Sequence, residues 1–194
     1  MLWVILIPFL TVALKFLIRV NDKHIYNPTN IAIVIMLIFD GGWVSPGQWG
    51  NEAFFAFLFA CLGMLVVYRS MRADVALSFL FFWSVLIFGR SWMLGEPLAI
   101  PIHRVESGSI LLFSFFMISD PKTTPNSQWG RYFFSLLVAL GAYYIQFKIF
   151  RTNGLIWSLA FWSTIVPLID LIFKGQKYFW SKELLFNKFN KQLN

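Results

Sequence analysis

Two stretches of this sequence carry polar residues in a pattern that could hold an anion or a carbonyl group within an apolar setting. The first, HIYNPTN, begins at His24 and contains Asn27-Pro28-Thr29 just before an apolar run. Asn is a good helix cap, and Pro suits the first helical position because its missing N–H would be unpaired there anyway. The second stretch, from His103 to Pro125, places Ser107-Gly108-Ser109 before an apolar run and Asp120-Pro121-Lys122-Thr123 after it. Unpaired N–H groups at such helix starts carry about +0.5 charge and attract an anion, a carbonyl or a flavin ring oxygen. An ordinary capped start at a membrane interface is the alternative. Gly108 would let a ligand or a second helix approach closely. Asp120 could face a polar cavity, pair with Lys122 or hold a cofactor hydroxyl; a solvated loop acid is the plain alternative.

Asp170 lies inside the last apolar run, three residues after Pro167. An acid there is costly in lipid unless it faces protein or water. It could equally be a helix-end acid at the interface, one turn before Lys174. His24 and His103 occupy matching places in the two stretches, and Cys61 is the lone cysteine. Neither histidine has a second ligand nearby, so the sequence predicts no metal site and no disulfide. It holds no nucleophile–base pair, no phosphate-cradling glycine loop and no haem-ligating histidine pair.

The elements that must position these residues are apolar. Of 194 residues 58% are hydrophobic, 20% aromatic and 13% charged. Soluble domains carry nearer a quarter charged, so the composition predicts an integral membrane protein. Full spans are expected at 2–18, 53–68, 75–89, 132–147 and 155–173, and shorter helices at 28–39 and 107–118. A dozen helical residues cover well under the ~30 Å of a hydrocarbon core, so the short pair cannot cross it alone. A polar stretch with Pro97 and Pro101 separates the two sets. Met1 opens onto apolar residues without a basic start or a small-residue cleavage site, which argues against a signal peptide.

The net charge of +7 is therefore read by position rather than as a nucleic-acid footprint. One side receives Arg19, Lys23, Arg69, Arg72, Lys122, Arg131 and the tail lysines 174, 177, 182, 188 and 191. The other receives Arg90, Arg104, Lys148 and Arg151. This asymmetry places the C-terminus in the cytoplasm and the Trp-Gly-rich loop 40–52 outside. The spacing also repeats. A short helix and two spans within about 27–89 recur within about 103–173, and three elements per unit invert the second unit relative to the first. The fold class expected is an all-α, polytopic membrane bundle of two inverted three-segment repeats, each opened by a short half-helix. Residues 1–173 form one transmembrane domain, and 174–194 a basic cytoplasmic or interfacial tail facing membrane lipids.

These motifs resemble the RnfD/NqrB family, which joins the D subunit of the Rnf electron-transport complex with the B subunit of sodium-translocating NADH:quinone oxidoreductase. HIYNPTN resembles its H-x-F-N-P-A, and SGSILLFSFFMISDPKTTP its S-G-G-T-M-L-x-x-F-F-x-x-T-D-P-V-T-x-P. Gly130-Arg131, NGLIWSLAF at 153–161 and VPLID at 166–170 also fit. The resemblance implies a bacterial inner-membrane subunit that binds flavin and passes electrons while a cation crosses, on an inverted-repeat fold akin to urea and ammonium channels. It carries the cofactor-binding expectation to Asn27, Pro28, Thr29, Ser107, Gly108, Ser109, Asp120, Pro121, Lys122 and Thr123. The family's covalent FMN sits on a Ser-x-Ala-Thr motif, and this sequence has no Ala-Thr pair. The expected cofactor is thus FMN or riboflavin held non-covalently. Relatives carry several spans ahead of the N-P motif where this sequence has one, so this looks like a shortened branch whose bundle is completed by other membrane subunits of a redox complex. A flavin-free small-solute transporter or channel-like protein of the same fold is the rival reading.

Overall fold

The computed structural model describes residues 2–20, 23–44 and 53–178, and expectations for the loop 45–52 and the tail 179–194 lie outside them. Within these bounds the chain is helical, apart from one small β-hairpin. Helix α1 (Leu2–Leu17) leads into paired strands β1 (Arg19–Val20) and β2 (Lys23–His24), then α2 (Pro28–Ile38). After these come α3 (Ala53–Arg69), α4 (Ala73–Leu94), α5 (Ala99–Val105), α6 (Gly108–Leu112), α7 (Gln128–Phe147), α8 (Gly154–Ser163) and α9 (Val166–Ile172). By length and composition α4 could cross a membrane, and α8 with α9 could do so as one bent unit.

Local chemistry explains the boundaries. The Asn27 side chain accepts a hydrogen bond from the Asn30 N–H at 3.1 Å, with Pro28 in the first turn of α2. At α7 the Ser127 hydroxyl accepts from the Gly130 N–H at 3.0 Å. Helix α4 runs past the expected end at 89 to Leu94. Gly95, at φ 66°, then stops it, and the Glu96 N–H closes onto the Ser91 carbonyl at 2.9 Å. Only a residue tolerant of left-handed backbone ends a helix this way at no cost. The stretch expected to be merely polar between 90 and 107 holds α5.

Two apolar segments are not the plain helices that periodicity suggests. Helix α6 continues as a π-helical turn, Phe113–Met117, closed by the Ile118 N–H onto the Phe113 carbonyl at 3.0 Å. Ser114 and Ser119 turn their hydroxyls back onto the carbonyls four residues earlier, a bond that competes with the helical ladder. The last expected span is broken, with α8 and α9 meeting at 54°. Pro167, in the first turn of α9, has no N–H for the preceding turn, which accounts for the bend.

The core lies between α4 and α7. Val75, Phe79, Trp83 and Ile87 of α4 are buried with Phe134, Val138, Ala139 and Ala142 of α7 and with Ile110 and Phe113. Phe79 and Phe113 pack ring to ring at 5.0 Å. The two long helices run parallel. Near their starts the Ser135 hydroxyl donates to the Val75 carbonyl, and at their ends the Arg90 guanidinium lies 4.5 Å from the Phe147 ring.

Helix α8 docks on α7 through small residues, and the Ser158 hydroxyl donates to the Val138 carbonyl at 2.7 Å. A Cβ on Gly154 would stand 2.8 Å from the Ala142 carbonyl oxygen. The α7–α8 approach is therefore set by backbone contact, which suits association by van der Waals packing. Gly154→Ala should force the helices apart and destabilise the chain by about 1–3 kcal/mol. Thermal unfolding in detergent should show a clear drop in Tm; an unchanged Tm would mean that the contact is slack.

Candidate functional site

Polar groups gather where four segments meet: the β1–β2 hairpin, the loop 119–127, the α3–α4 turn and the end of α9. Asp170 is the centre. Its Oδ1 accepts from the Asn126 backbone N–H at 2.7 Å. Its Oδ2 accepts from the Asn126 side-chain amide at 2.9 Å and from the Lys23 ammonium at 3.1 Å. Lys23 also donates to the Thr124 carbonyl and to Asn126 Oδ1, at 2.8 and 2.9 Å. Burial pulls the Lys23 pKa below the ordinary lysine value, against the opposing pull of Asp170. Asp170 is thus held by Lys23, from the opposite end of the sequence, rather than by Lys174 one turn on.

A second pair stands beside the first. Arg131 donates through Nε to Asp74 at 2.7 Å and through a terminal nitrogen to the Asn126 carbonyl at 2.8 Å. Arg72 donates to the Thr124 hydroxyl at 3.0 Å, and its guanidinium lies 5.0 Å from the centre of the Tyr178 ring. Burial, with Arg131 close by, lowers the Arg72 pKa to about 10. Asn126 is therefore the knot. Its backbone and side chain together serve Asp170, Lys23 and Arg131.

The residues singled out from sequence divide into two groups. Asn27 and Asp120 come together, the Asn27 amide donating to Asp120 at 3.5 Å and to the Met117 carbonyl at 3.3 Å. Asp120 also accepts from the Lys122 backbone N–H at 3.0 Å, and its carboxylate makes no ion pair with the Lys122 ammonium. Thr123 is buried, with its hydroxyl on the Asp120 carbonyl. Pro28 and Pro121 are half-buried beside them, and Thr29 faces outward. Ser107, Gly108 and Ser109 lie elsewhere. The two serine hydroxyls meet at 3.2 Å, at the opposite end of a helix roughly 15 Å long. The start of α2 therefore abuts the end, not the start, of the second short helix. His103 is exposed, and among the described residues no cluster of three His, Cys, Asp or Glu could hold a metal.

Lys23, Arg72, Asp74, Thr124, Asn126 and Arg131 were not singled out as site residues. Most are charged groups bordering apolar runs, and that position was the available signal. A cavity of about 220 Å³ opens beside Asp170, with Lys23, His24, Lys122 and Lys177 among its walls. It falls short of the ~300 Å³ at the lower end of small-molecule pockets. Its apolar walls among the described residues are Val20, Ile25, Val166, Pro167 and Leu171. Lys122 is its sole lining residue from the expected cofactor set.

Two measurements test the cluster. In a double-mutant cycle, Lys23→Met and Asp170→Asn should couple by about 1–3 kcal/mol, because either change alone strands a mostly buried partner. Additive losses in chemical unfolding would show that the pair is not a unit. Burial raises the Asp120 pKa above the ordinary carboxylate value. A raised folded pKa means stability that is present at low pH and lost as pH rises through it. Asp120→Asn should therefore be at least as stable as the parent at neutral pH. Its advantage should vanish below the unfolded carboxylate pKa of about 3.9, and a neutral-pH penalty in thermal melts would contradict this.

Comparison with known proteins agrees with the motifs. The sequence pattern of the NQR2, RnfD, RnfE family matches residues 10–178. The D subunit of the ion-translocating oxidoreductase complex of Shewanella amazonensis is 28% identical over 146 residues, covering 73% of this chain and 40% of that protein. The corresponding protein of Pectobacterium carotovorum is 30% identical, covering 71% of this chain and 37% of its own length. That of Buchnera aphidicola is 31% identical over 78 residues, covering 40% of this chain and 22% of its own length. The chain thus spans two fifths or less of the length of these relatives. By its match from residue 10 to residue 178, it belongs to the NQR2, RnfD, RnfE family.

Proposed function

We propose that this chain is a multi-pass inner-membrane subunit of a bacterial ion-translocating oxidoreductase complex. The observation that carries the reading is family membership across nearly the whole sequence, joined to relatives named as the D subunits of such complexes. The distribution of cations supports an orientation. Lys23, Arg72, Lys122, Arg131 and Lys177 gather around Asp170, while Arg90 and Arg104 flank Phe147 at the other end of α7. The positive-inside rule then puts the Asp170 end, and the tail that follows it, in the cytoplasm.

The inverted repeat is part of the same proposal. Helix α3 ends beside the polar cluster and its counterpart α7 starts there; α4 starts there and α8–α9 ends there. Counterparts running in opposite directions are what a twofold axis in the membrane plane requires. The domain reading follows: residues 1–173 make one membrane domain, and the tail lies on its cytoplasmic face.

In this reading the chain serves the complex without a flavin in its own polar cavity, and the electron carriers sit on partner subunits or at interfaces with them. The bent α8–α9 unit is the feature that favours the rival reading, since broken helices line solute paths in transporters. An affinity-tagged chain drawn from bacterial membranes in mild detergent decides between them. It should bring down other membrane subunits, the assembly should show visible flavin absorption, and the isolated chain should be colourless. Flavin at one equivalent on the isolated chain would overturn the flavin-free assignment. A chain that purifies alone and conducts solute in vesicles would overturn the complex.

A further inference from the structure

The cavity beside Asp170 has an electrostatic imbalance that its internal bonds leave in place. Lys23 and Asp170 neutralise one another. Lys122 and Lys177 line the same space, and neither has a carboxylate within ion-pair distance among the described residues. His24 is also in the wall. It is 9% exposed, and its Nδ1 is buried with no hydrogen-bond partner among the described residues. The Asp120 carboxylate acts on this imidazole from one side, and Arg19, Lys15 and Lys122 oppose it. The cation–π contact of Arg72 with Tyr178 pins the segment that carries Lys177.

One flank of the site is apolar and uncovered. Leu168, Leu171 and Ile172 share a face of α9 by their spacing and are 57%, 70% and 74% exposed. Val20 and Leu171 line the cavity itself. Two ammonium groups without an ion pair among the described residues, set against an exposed aliphatic face, suit a small anion attached to a hydrocarbon tail.

We propose that this cavity binds the phosphate group of an anionic phospholipid. Lys122 and Lys177 supply the charge, and His24 forms part of the wall. The acyl chains lie along Leu168, Leu171 and Ile172. The site rests on the membrane placement proposed above but not on any redox role.

The test uses the whole chain in detergent, with soluble short-chain phosphatidylglycerol as the probe and phosphatidylcholine of equal chain length as the comparison. Inorganic phosphate is added as competitor. Phosphatidylglycerol should bind more tightly than phosphatidylcholine, and inorganic phosphate at the same concentration should not displace it. Lys122→Gln and Lys177→Gln should each weaken binding about fivefold, the effect of one basic residue at an anionic surface. Lys148→Gln with Arg151→Gln, a loss of two charges at the opposite end of the bundle, should leave binding unchanged. Lys122 is half-buried and the other three are exposed, so all four can be replaced without opening the core. Equal affinity for the two lipids, or equal loss in both pairs of variants, overturns the site. Displacement by inorganic phosphate overturns its assignment to lipid. Carbonate extraction of membranes, read separately, shows whether the membrane placement itself has failed.

Discussion

The carboxylate of Asp170 is the constraint on which the rest of the structure depends. A mostly buried acid in so apolar a chain is unfavourable unless every lone pair is answered, and three donors answer it. Those donors come from Lys23 and Asn126, so one side chain draws the hairpin after α1, the loop before α7 and the end of α9 to a single place. Loops in a membrane protein cannot leave backbone groups bare within the hydrocarbon, and they must satisfy one another. The Thr124 and Asn126 carbonyls do so by accepting from Lys23 and Arg131. The loop 119–127 is thereby a fixed object, although it has no regular secondary structure.

That knot sets the register of the helices above it. Asp74 and Arg131 tie the first turn of α4 to the first turn of α7, so the two begin level and run side by side. At their far ends Arg90 pairs with Glu96 at 2.9 Å, and Arg90 and Arg104 both lie against Phe147. Between these polar ends the contact is aromatic and aliphatic packing, which is sensitive to shape but not to polarity. Direction and register thus come from the ends, and close fit from the middle.

How much of this could be read from sequence follows from the same division. Apolar runs and caps are local, so the helix start at Asn27-Pro28 and the order of the elements were legible, while α7 begins at Gln128, ahead of the expected 132. The all-α class followed from composition. The π-turn at Phe113–Met117 was not legible, because an extra residue in one turn leaves no mark on hydropathy, and the bend before Pro167 was not read although a proline stood inside the run. The meeting of Lys23 with Asp170 was harder still, because nothing near either residue names a partner 147 positions away. Asn126 left least trace: in a Pro-Asn-Ser run it reads as an ordinary turn residue, yet it makes more of the cluster's bonds than any charged group. Asp170 announced itself, since an acid within an apolar run requires an explanation.

The division between satisfied and unsatisfied surface also separates what this chain does for itself from what it needs from others. Asp170, Lys23, Asn126 and Arg131 answer one another within the chain, so the knot does not require a second subunit to hold. The apolar exterior is different. Ile5, Phe9, Phe16 and Leu17 of α1 and Phe57, Leu65 and Tyr68 of α3 are all more than half exposed, on helices that the α4–α7 core leaves at the margin. Exposed apolar area of that extent is stable only against hydrocarbon or a matching protein face. Polar bonding accordingly fixes the fold from inside, while α1 and α3 offer the faces on which lipid or neighbouring subunits must pack.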